Sequence, residues 1–290
     1  MVALADHGNF GRAAAACNVS QSTLSTQIKK LEKGLGVVLF ERTTQSVRMT
    51  AVGADIAGRA RRVLVDVEAI GAVGRQMSGP LTGIFNLGVI PTLGPYLLPW
   101  LVPALRTAYP DMRLTVHEDL TAPLLERLGS HRLDAAFVAL PLHDGGIETL
   151  PVFDEPFRFA EPKRNHPAPE GVMSETELGG QRLLLLTEGH CLRDQALAIC
   201  GSTGADADGD FRATSLETIL QMVATGLGST LLPAMACGSE SARAVTTRQL
   251  DAGIGRRIGL AWRRGCSRLG DIHLLADVVR EYLPSSVHRL

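Results

Sequence analysis

Val19-Ser20-Gln21-Ser22-Thr23-Leu24-Ser25-Thr26-Gln27-Ile28-Lys29-Lys30-Leu31 carries Leu24, Ile28 and Leu31 at steps of four and three. That spacing stacks them on one face of a helix beginning near Gln21 and marks the face as buried. Ser20 is placed to cap the helix, because its hydroxyl can accept an unpaired first-turn N–H. At about 100° per residue, Ser22, Thr26, Lys29, Lys30 and Lys33 project from the opposite side. Upstream, four consecutive alanines at 13–16 favour a helix that another helix can approach closely, with Cys17 facing that neighbour, and Asn18 breaks the run. Downstream, Gly34-Leu35-Gly36 stops the second helix. Two short extended arms then follow, Leu39-Phe40-Glu41-Arg42 and a second one ending at Met49-Thr50, around Thr44-Gln45. Helix, turn, helix and wing form a unit whose second helix fits a major groove. Periodicity alone leaves an ordinary helical hairpin with a solvated basic face as the alternative.

Charge divides the chain in the same place. The net charge is −1, yet residues 1–80 hold 10 Lys/Arg against 6 Asp/Glu, leaving 19 against 24 for the rest. The basic end needs an anionic partner, and double-stranded DNA is the expectation. With 290 residues, 45% hydrophobic and 20% charged, the chain is too balanced for disorder and long enough for more than one core. Its longest apolar runs fall well short of the roughly 18 to 20 residues that span a bilayer, and no basic, apolar leader opens it. The expected location is the cytoplasm, with no membrane partner.

Ile56, Ala60, Val63, Val67, Ile70, Gly74 and Met77 repeat at alternating steps of four and three, a heptad seam within 50–78. A partner helix is the expected cover, because two half-sites need two recognition helices; a helix lying on its own domain is the alternative. Beyond the Gly79-Pro80 stop, strands are expected at 84–90, 113–117, 135–140, 182–186, 229–232 and 258–262, with helices at 94–108 and 123–129. Strands alternating with crossover helices imply an α/β region of two subdomains built on parallel sheets.

The chemistry concentrates in Gly189-His190-Cys191-Leu192-Arg193-Asp194-Gln195-Ala196 and Cys200. Gly189 breaks an apolar strand and helical composition follows, so Cys191 sits at a helix N-terminus, where unpaired N–H groups favour an anion. His190 and Arg193 add positive potential, and all three effects are expected to lower the thiol pKa toward neutrality. Asp194 is placed to orient His190 or Arg193, or to pass a proton. Cys17, Cys237 and Cys266 read as small packed hydrophobes, as Cys200 alone would. Five cysteines, odd in number and scattered, argue against a secreted disulfide framework or a zinc cluster, and no metal or cofactor is expected. Thr92, between a strand and a helix, either caps the helix or touches a ligand. Thr214 and Glu217 form an apparent capping box.

Phe10-x-Arg12-Ala13-Ala14, Val19-Ser20-Gln21-Ser22-Thr23-Leu24-Ser25-x-Gln27-Ile28 and Leu35-Gly36-Val37-x-Leu39-Phe40-Glu41-Arg42-Thr43 resemble the winged helix-turn-helix of LysR-type transcriptional regulators. The strings Gly189-His190-Cys191-Leu192-Arg193-Asp194-Gln195-Ala196 and Ile90-Pro91-Thr92-x-Gly94-Pro95-Tyr96, with Phe153-Asp154-Glu155-Pro156 and Phe211-Arg212-Ala213-Thr214-Ser215, are similar to the hydrogen-peroxide-sensing activators of that family. The resemblance implies a winged helix-turn-helix at 1–50 and a linker and dimerisation helix at 51–79. A regulatory region at 80–290 follows, like periplasmic solute-binding proteins, with subdomain I at about 80–156 and 257–290 and subdomain II at about 157–256. It implies DNA contacts by Gln21, Ser22, Thr23, Ser25, Thr26, Lys29, Lys30, Arg42 and Arg48. Cys191 becomes the peroxide-attacking cysteine and Cys200 its resolving partner, with His190, Arg193 and Asp194 around the sulfur. Thr92 and Thr121 hold peroxide and a water, and Arg256 lies beside the pocket. A homodimer or homotetramer, and a thiol reductant such as glutaredoxin or thioredoxin, are the implied partners. Asp210 replaces a histidine of the pattern, and Gln45-Ser46 replaces basic residues of the wing. A LysR-type sensor of a small metabolite, or a thiol peroxidase, is the rival reading; the first needs no such cysteine pair and the second no helix-turn-helix.

Overall fold

In a computed structural model, residues 1–42, 47–75, 79–163, 171–178, 181, 183–201, 212–251 and 253–290 are described. Two compact units divide the chain, one of residues 1–77 with 130–132 and one of residues 78–129 with 133–290.

The first unit contains α1 (Val2–His7), α2 (Phe10–Ala16), α3 (Gln21–Leu35), β1 (Phe40–Arg42), β2 (Val47–Met49) and α4 (Ala51–Arg75). The Asn9 side chain caps α2 by accepting from Arg12 N–H, and Ser20 caps α3 by accepting from Thr23 N–H at 3.1 Å. Leu4, Ala13, Ala14, Leu24, Ile28, Leu39 and Phe40 form the core. The alanines are buried as their spacing requires, but Cys17 is exposed and Leu31 is 38% exposed. Cys17 is the residue that closes α2, so it lies past the packed face; Leu31 lies one turn beyond Ile28, toward the C-terminal end of α3. Glu32 accepts from the N–H groups of Leu39 and Phe40 at 2.9 and 3.2 Å, which sets where the wing begins. β1 and β2 pair antiparallel. Gly53 is required because a Cβ there would lie 2.3 Å from Leu39 O. Along α4, Ile56 packs on this core and Arg61 pairs with Asp6, whereas Val63 and Val67 stand 60% and 57% exposed. Of the heptad seam, the side chains of Ile70 and Gly74, and all of Met77, lie outside the described residues, as do Gln45-Ser46 and Asp210.

The second unit runs β3 (Gly83–Val89), α5 (Gly94–Ala108), β4 (Met112–Glu118), α6 (Thr121–Gly129), β5 (Ala135–Leu140), β6 (Ile147–Pro162), β7 (Val172–Met173) and α7 (Glu175–Leu178). Then follow β8 (Leu185–Leu186), α8 (Cys191–Gly201), β9 (Arg212–Ala213), α9 (Leu216–Ala224), β10 (Thr230–Pro233), β11 (Val245–Leu250), β12 (Gly255–Arg263), α10 (Leu269–Glu281) and β13 (His288–Arg289). The main sheet has the order β4-β3-β5-β12-β6-β11-β7, and β10 and β13 also pair with β6. Only part of it is parallel, a correction to the expected parallel sheets. β3 runs parallel to β4 and β5, but β12 and β6 run antiparallel to their neighbours.

β6 reorganises the topology. Its prolines at 151 and 156 argue against a central strand, but a register shift between Ile258 and Gly259 of β12, opposite Phe153 and Pro151, accommodates the first. Phe153 lies in one core with Phe85, Leu97, Phe137, Leu260 and Leu275. Phe157 and Phe159 lie in a second with Leu186, Leu220, Val223 and Leu231. Two subdomains therefore share one continuous strand. Gly255 sits where β12 crosses beside it, and a Cβ there would lie 2.5 Å from Glu155 O.

Candidate functional site

α8 starts where the two cores meet. Gly189, at φ 90°, turns the chain out of β8, and a Cβ on it would press to 3.0 Å of Leu120 Cδ1. Cys191 is the first helical residue and packs, partly buried, against the first core, while Leu192 and Ala196 of the same helix enter the second. The expected helix N-terminus is present, but the thiol pKa is raised, not lowered. Burial dominates; Arg256 and the N–H groups of Leu192 and Cys191 act against it, and Asp194 adds to it. The reason lies in the neighbours. Burial holds His190 below its ordinary pKa, which makes it neutral near pH 7, and Arg193 is turned to Glu188 at 3.8 Å.

Arg256 is drawn in from β12. Its Nε donates to Glu155 Oε2 at 2.8 Å, Nη1 to Thr92 Oγ1 at 2.7 Å and Nη2 to Thr92 O at 3.0 Å. Thr92 is therefore no helix cap: Leu93 occupies that position without a side-chain bond, and the threonine hydroxyl serves Arg256. Thr121, the first residue of α6, has a buried hydroxyl with no hydrogen-bond partner among the described residues. An unsatisfied buried hydroxyl is unfavourable unless a small polar guest reaches it. Tyr96 packs on both cores and donates to Glu217 at 3.0 Å. That bond corrects the capping box, because Ser215 caps α9 by accepting from Thr218 N–H, and Glu217 is turned to the tyrosine.

Thus Thr92, Cys191 and Arg256 are brought together, His190 adjoins them, and Arg193 and Asp194 point their charges elsewhere or against thiolate formation. Cys200 is described in its backbone alone, in the last turn of α8. Sequence reading missed Tyr96, Glu155 and the Oε1 of Gln195, buried without a partner among the described residues. For Glu155 a signal existed: Phe153, Glu155, Phe157 and Phe159 alternate along β6 as its inward face. Cys237 and Cys266 are partly buried with raised thiol pKa values, that of Cys237 at about 11, as packed thiols should be. Among the described residues no group of three or more His, Cys, Asp or Glu gathers as a metal site, and no helix is long and apolar enough to cross a membrane.

On α3, Gln21, Ser22, Thr23, Thr26, Lys29 and Lys30 are exposed and Ser25 is half-buried. Thr26 Oγ1 donates to Ser22 O at 2.9 Å, which leaves its oxygen lone pairs outward. Arg48 is exposed on β2, and the Arg42 side chain lies outside the described residues.

Residues 1–54 match the helix-turn-helix of bacterial regulatory proteins of the lysR family, and residues 78–284 match the LysR substrate binding domain. The chain belongs to the LysR family. Within this family it is similar to a hydrogen peroxide-inducible genes activator of Dickeya chrysanthemi, 42% identical over 100% of this chain and 96% of that one. Among solved LysR-family structures, a full-length OxyR of Pseudomonas aeruginosa with a cysteine-to-aspartate substitution gives a TM-score of 0.82 at 38% identity, covering 98% of this chain and 93% of that one. A hydrogen-peroxide-bound cysteine mutant of the Corynebacterium glutamicum OxyR gives 0.67 at 33%, covering 97% and 89%. The resemblance read in the Gly-His-Cys string thus extends over the whole chain.

Proposed function

We propose that this LysR-family protein is a cytoplasmic transcriptional regulator that binds double-stranded DNA through residues 1–50 and senses hydrogen peroxide at Cys191. Residues 51–79 link and pair two chains in a homodimer or homotetramer, and 80–290 form the regulatory region, divided near Pro156 and Arg256. The observation that carries the reading is Cys191 at the start of α8, between two cores, with the charge of Arg256 acting on its sulfur and Thr92 bonded to Arg256; the Thr121 hydroxyl, buried without a partner among the described residues, is a further group able to meet a peroxide. The names of its relatives support the same ligand.

The chemistry balances without a cofactor. The Cys191 thiolate attacks one peroxide oxygen, the O–O bond breaks, and the leaving hydroxide takes a proton to become water. The Cys200 thiolate then attacks the sulfenic sulfur of Cys191, the S–O bond breaks, and the hydroxide expelled takes a proton to become a second water as the disulfide forms. Two electrons pass from two thiols to one peroxide; a thiol reductant such as glutaredoxin or thioredoxin returns them. Thr92 and Thr121 orient the peroxide. His190, neutral, keeps one N–H to donate to the departing oxygen. Gln21, Ser22, Thr23, Ser25 and Thr26 present polar groups to base edges, while Lys29, Lys30, Arg42 and Arg48 meet phosphates. Footprinting with reduced and oxidised protein tests the whole: the footprint changes in the wild type and stays in its reduced form in Cys191→Ser. A variant that still responds to peroxide sinks the assignment.

A further inference from the structure

Glu155 takes no part in the thiol chemistry, yet it retains 1% of its surface and its partner Arg256 4%. A buried ion pair is weak evidence for stability, because desolvating both charges offsets their attraction. What it does supply is geometry. Both oxygens of Glu155 accept. Oε2 receives Arg256 Nε–H at 2.8 Å and lies 2.8 Å from Nη2, and Oε1 receives the Met235 N–H at 2.9 Å. The far edge of the guanidinium is held by the hydroxyl and carbonyl of Thr92. A planar guanidinium tied through all three nitrogens, from two sides, has no rotation left. Arg256 is also the cation that acts on the Cys191 sulfur, against burial and against Asp194 of α8. The other nearby basic groups do not replace it, since His190 is neutral and Arg193 faces Glu188.

We propose that Glu155 is a positioning residue for Cys191: clamped between Arg256 and the Met235 amide, its carboxylate holds the guanidinium on Thr92 and within electrostatic reach of the thiol. The proposal rests on the reading of Cys191 as the peroxide-reacting cysteine. It also gives Thr92 a direction. With Oγ1 accepting from Arg256, its own O–H is left to donate into the pocket.

Two variants separate geometry from charge. In Glu155→Gln the amide offers one oxygen, so its NH2 faces a donor on one side, either Arg256 or Met235 N–H, and the clamp opens. Glu155→Asp keeps the charge but withdraws the carboxylate by one methylene, roughly 1.5 Å. The readout is the pH profile of iodoacetamide alkylation at Cys191 in the reduced full-length protein, followed by mass spectrometry of the peptide that contains it, with thermal unfolding in parallel. Both variants are expected to move the midpoint up by about half a pH unit or more, slowing alkylation at pH 7.5 about threefold. A lowered midpoint in Glu155→Gln with none in Glu155→Asp means that the carboxylate only compensates charge, and overturns the proposal. So does an unmoved midpoint with reduced thermal stability alone. If the glutamine variant does not fold, the aspartate variant decides by the same criterion. The profile uses neither peroxide nor DNA. An unmoved midpoint therefore leaves the peroxide reading standing, whereas a wild-type Cys191 that ignores peroxide overturns that reading and leaves the profile interpretable.

Discussion

Ala198→Gly is expected to speed disulfide closure about fivefold. Both cysteines lie on α8, which runs unbroken from Cys191 to Gly201. Nine residues along an α-helix rise about 13.5 Å and turn the chain about half a revolution, which places the two Cα atoms about 14 Å apart. A disulfide tolerates roughly 7 Å. The bond cannot close on the folded helix, so the rate is the population of an opened helix multiplied by the intrinsic rate of attack. Ala198 is exposed, and glycine there removes no packing. It weakens the helix by about 1 kcal/mol, which raises the opened population about fivefold. Formation of the sulfenic acid precedes opening and keeps its rate.

Quenched-flow trapping of free thiols after a peroxide pulse, with mass spectrometry to separate sulfenic acid from disulfide, resolves the two steps. Hydrogen exchange supplies the structural half: amides of α8 lose protection when the bond forms. Closure that is no faster in the glycine variant, or a disulfide formed with α8 protection intact, would refute the requirement for unwinding.

Three further outcomes follow from the site and the DNA-binding unit. Because burial raises the Cys191 thiol above its ordinary value, its thiolate is a minor species at neutral pH, and oxidation should accelerate about tenfold per unit from pH 7 to 8.5; a rate already flat at pH 7 in stopped-flow oxidation contradicts this. Gly189→Ala places a side chain at φ 90° and 3.0 Å from Leu120 Cδ1, and is expected to lose about 1–3 kcal/mol in urea unfolding; no measurable loss means that the turn relaxes freely. Lys30→Ala, exposed on α3, should weaken all DNA sequences alike and reduce the slope of log affinity against log salt by about 0.9; a sequence-selective loss would move Lys30 from phosphate to base contact.

The DNA-binding unit was legible because its signals are local. Ser20 at the cap, Leu24 and Ile28 on one face and Gly36 at the end lie within one helix, and α3 follows them from Gln21 to Leu35. The α/β character was legible for the same reason: α5 and β5 occupy 94–108 and 135–140 as their patterns require. What failed was long-range. β6 hides behind its prolines, and its role as the strand shared by both subdomains depends on partners about 100 residues away in β12. The Cys191 environment failed similarly. His190 and Arg193 are neighbours in sequence and were expected to activate the thiol, but local geometry sends Arg193 to Glu188, and the activating cation arrives from position 256. Capping is the reading of Glu217 and one of the two open to Thr92, because it is the local use of such groups; in the fold Glu217 bonds Tyr96 and Thr92 bonds Arg256.

The same helix links the rate of the switch to its equilibrium. Eleven residues are too few for a stable isolated helix, since the nucleation cost is recovered only over about 12 to 15. α8 is therefore held by packing, chiefly Leu192 at 4% exposure and Ala196 at 2%, of which a buried leucine contributes about 1.5–3 kcal/mol. Those contacts exist with Cys191 free, and the unwinding that closure requires would disrupt them. Whatever stabilises α8 thus favours the reduced state and raises the disulfide potential, by about 20 mV for each 1 kcal/mol in a two-electron couple. Ala198→Gly, which speeds closure, is expected to lower the potential by that amount in thiol redox buffers of defined poise. A variant that closes faster but leaves the potential unmoved would show that the oxidised form keeps residue 198 helical, and would confine the unwinding to the transition state.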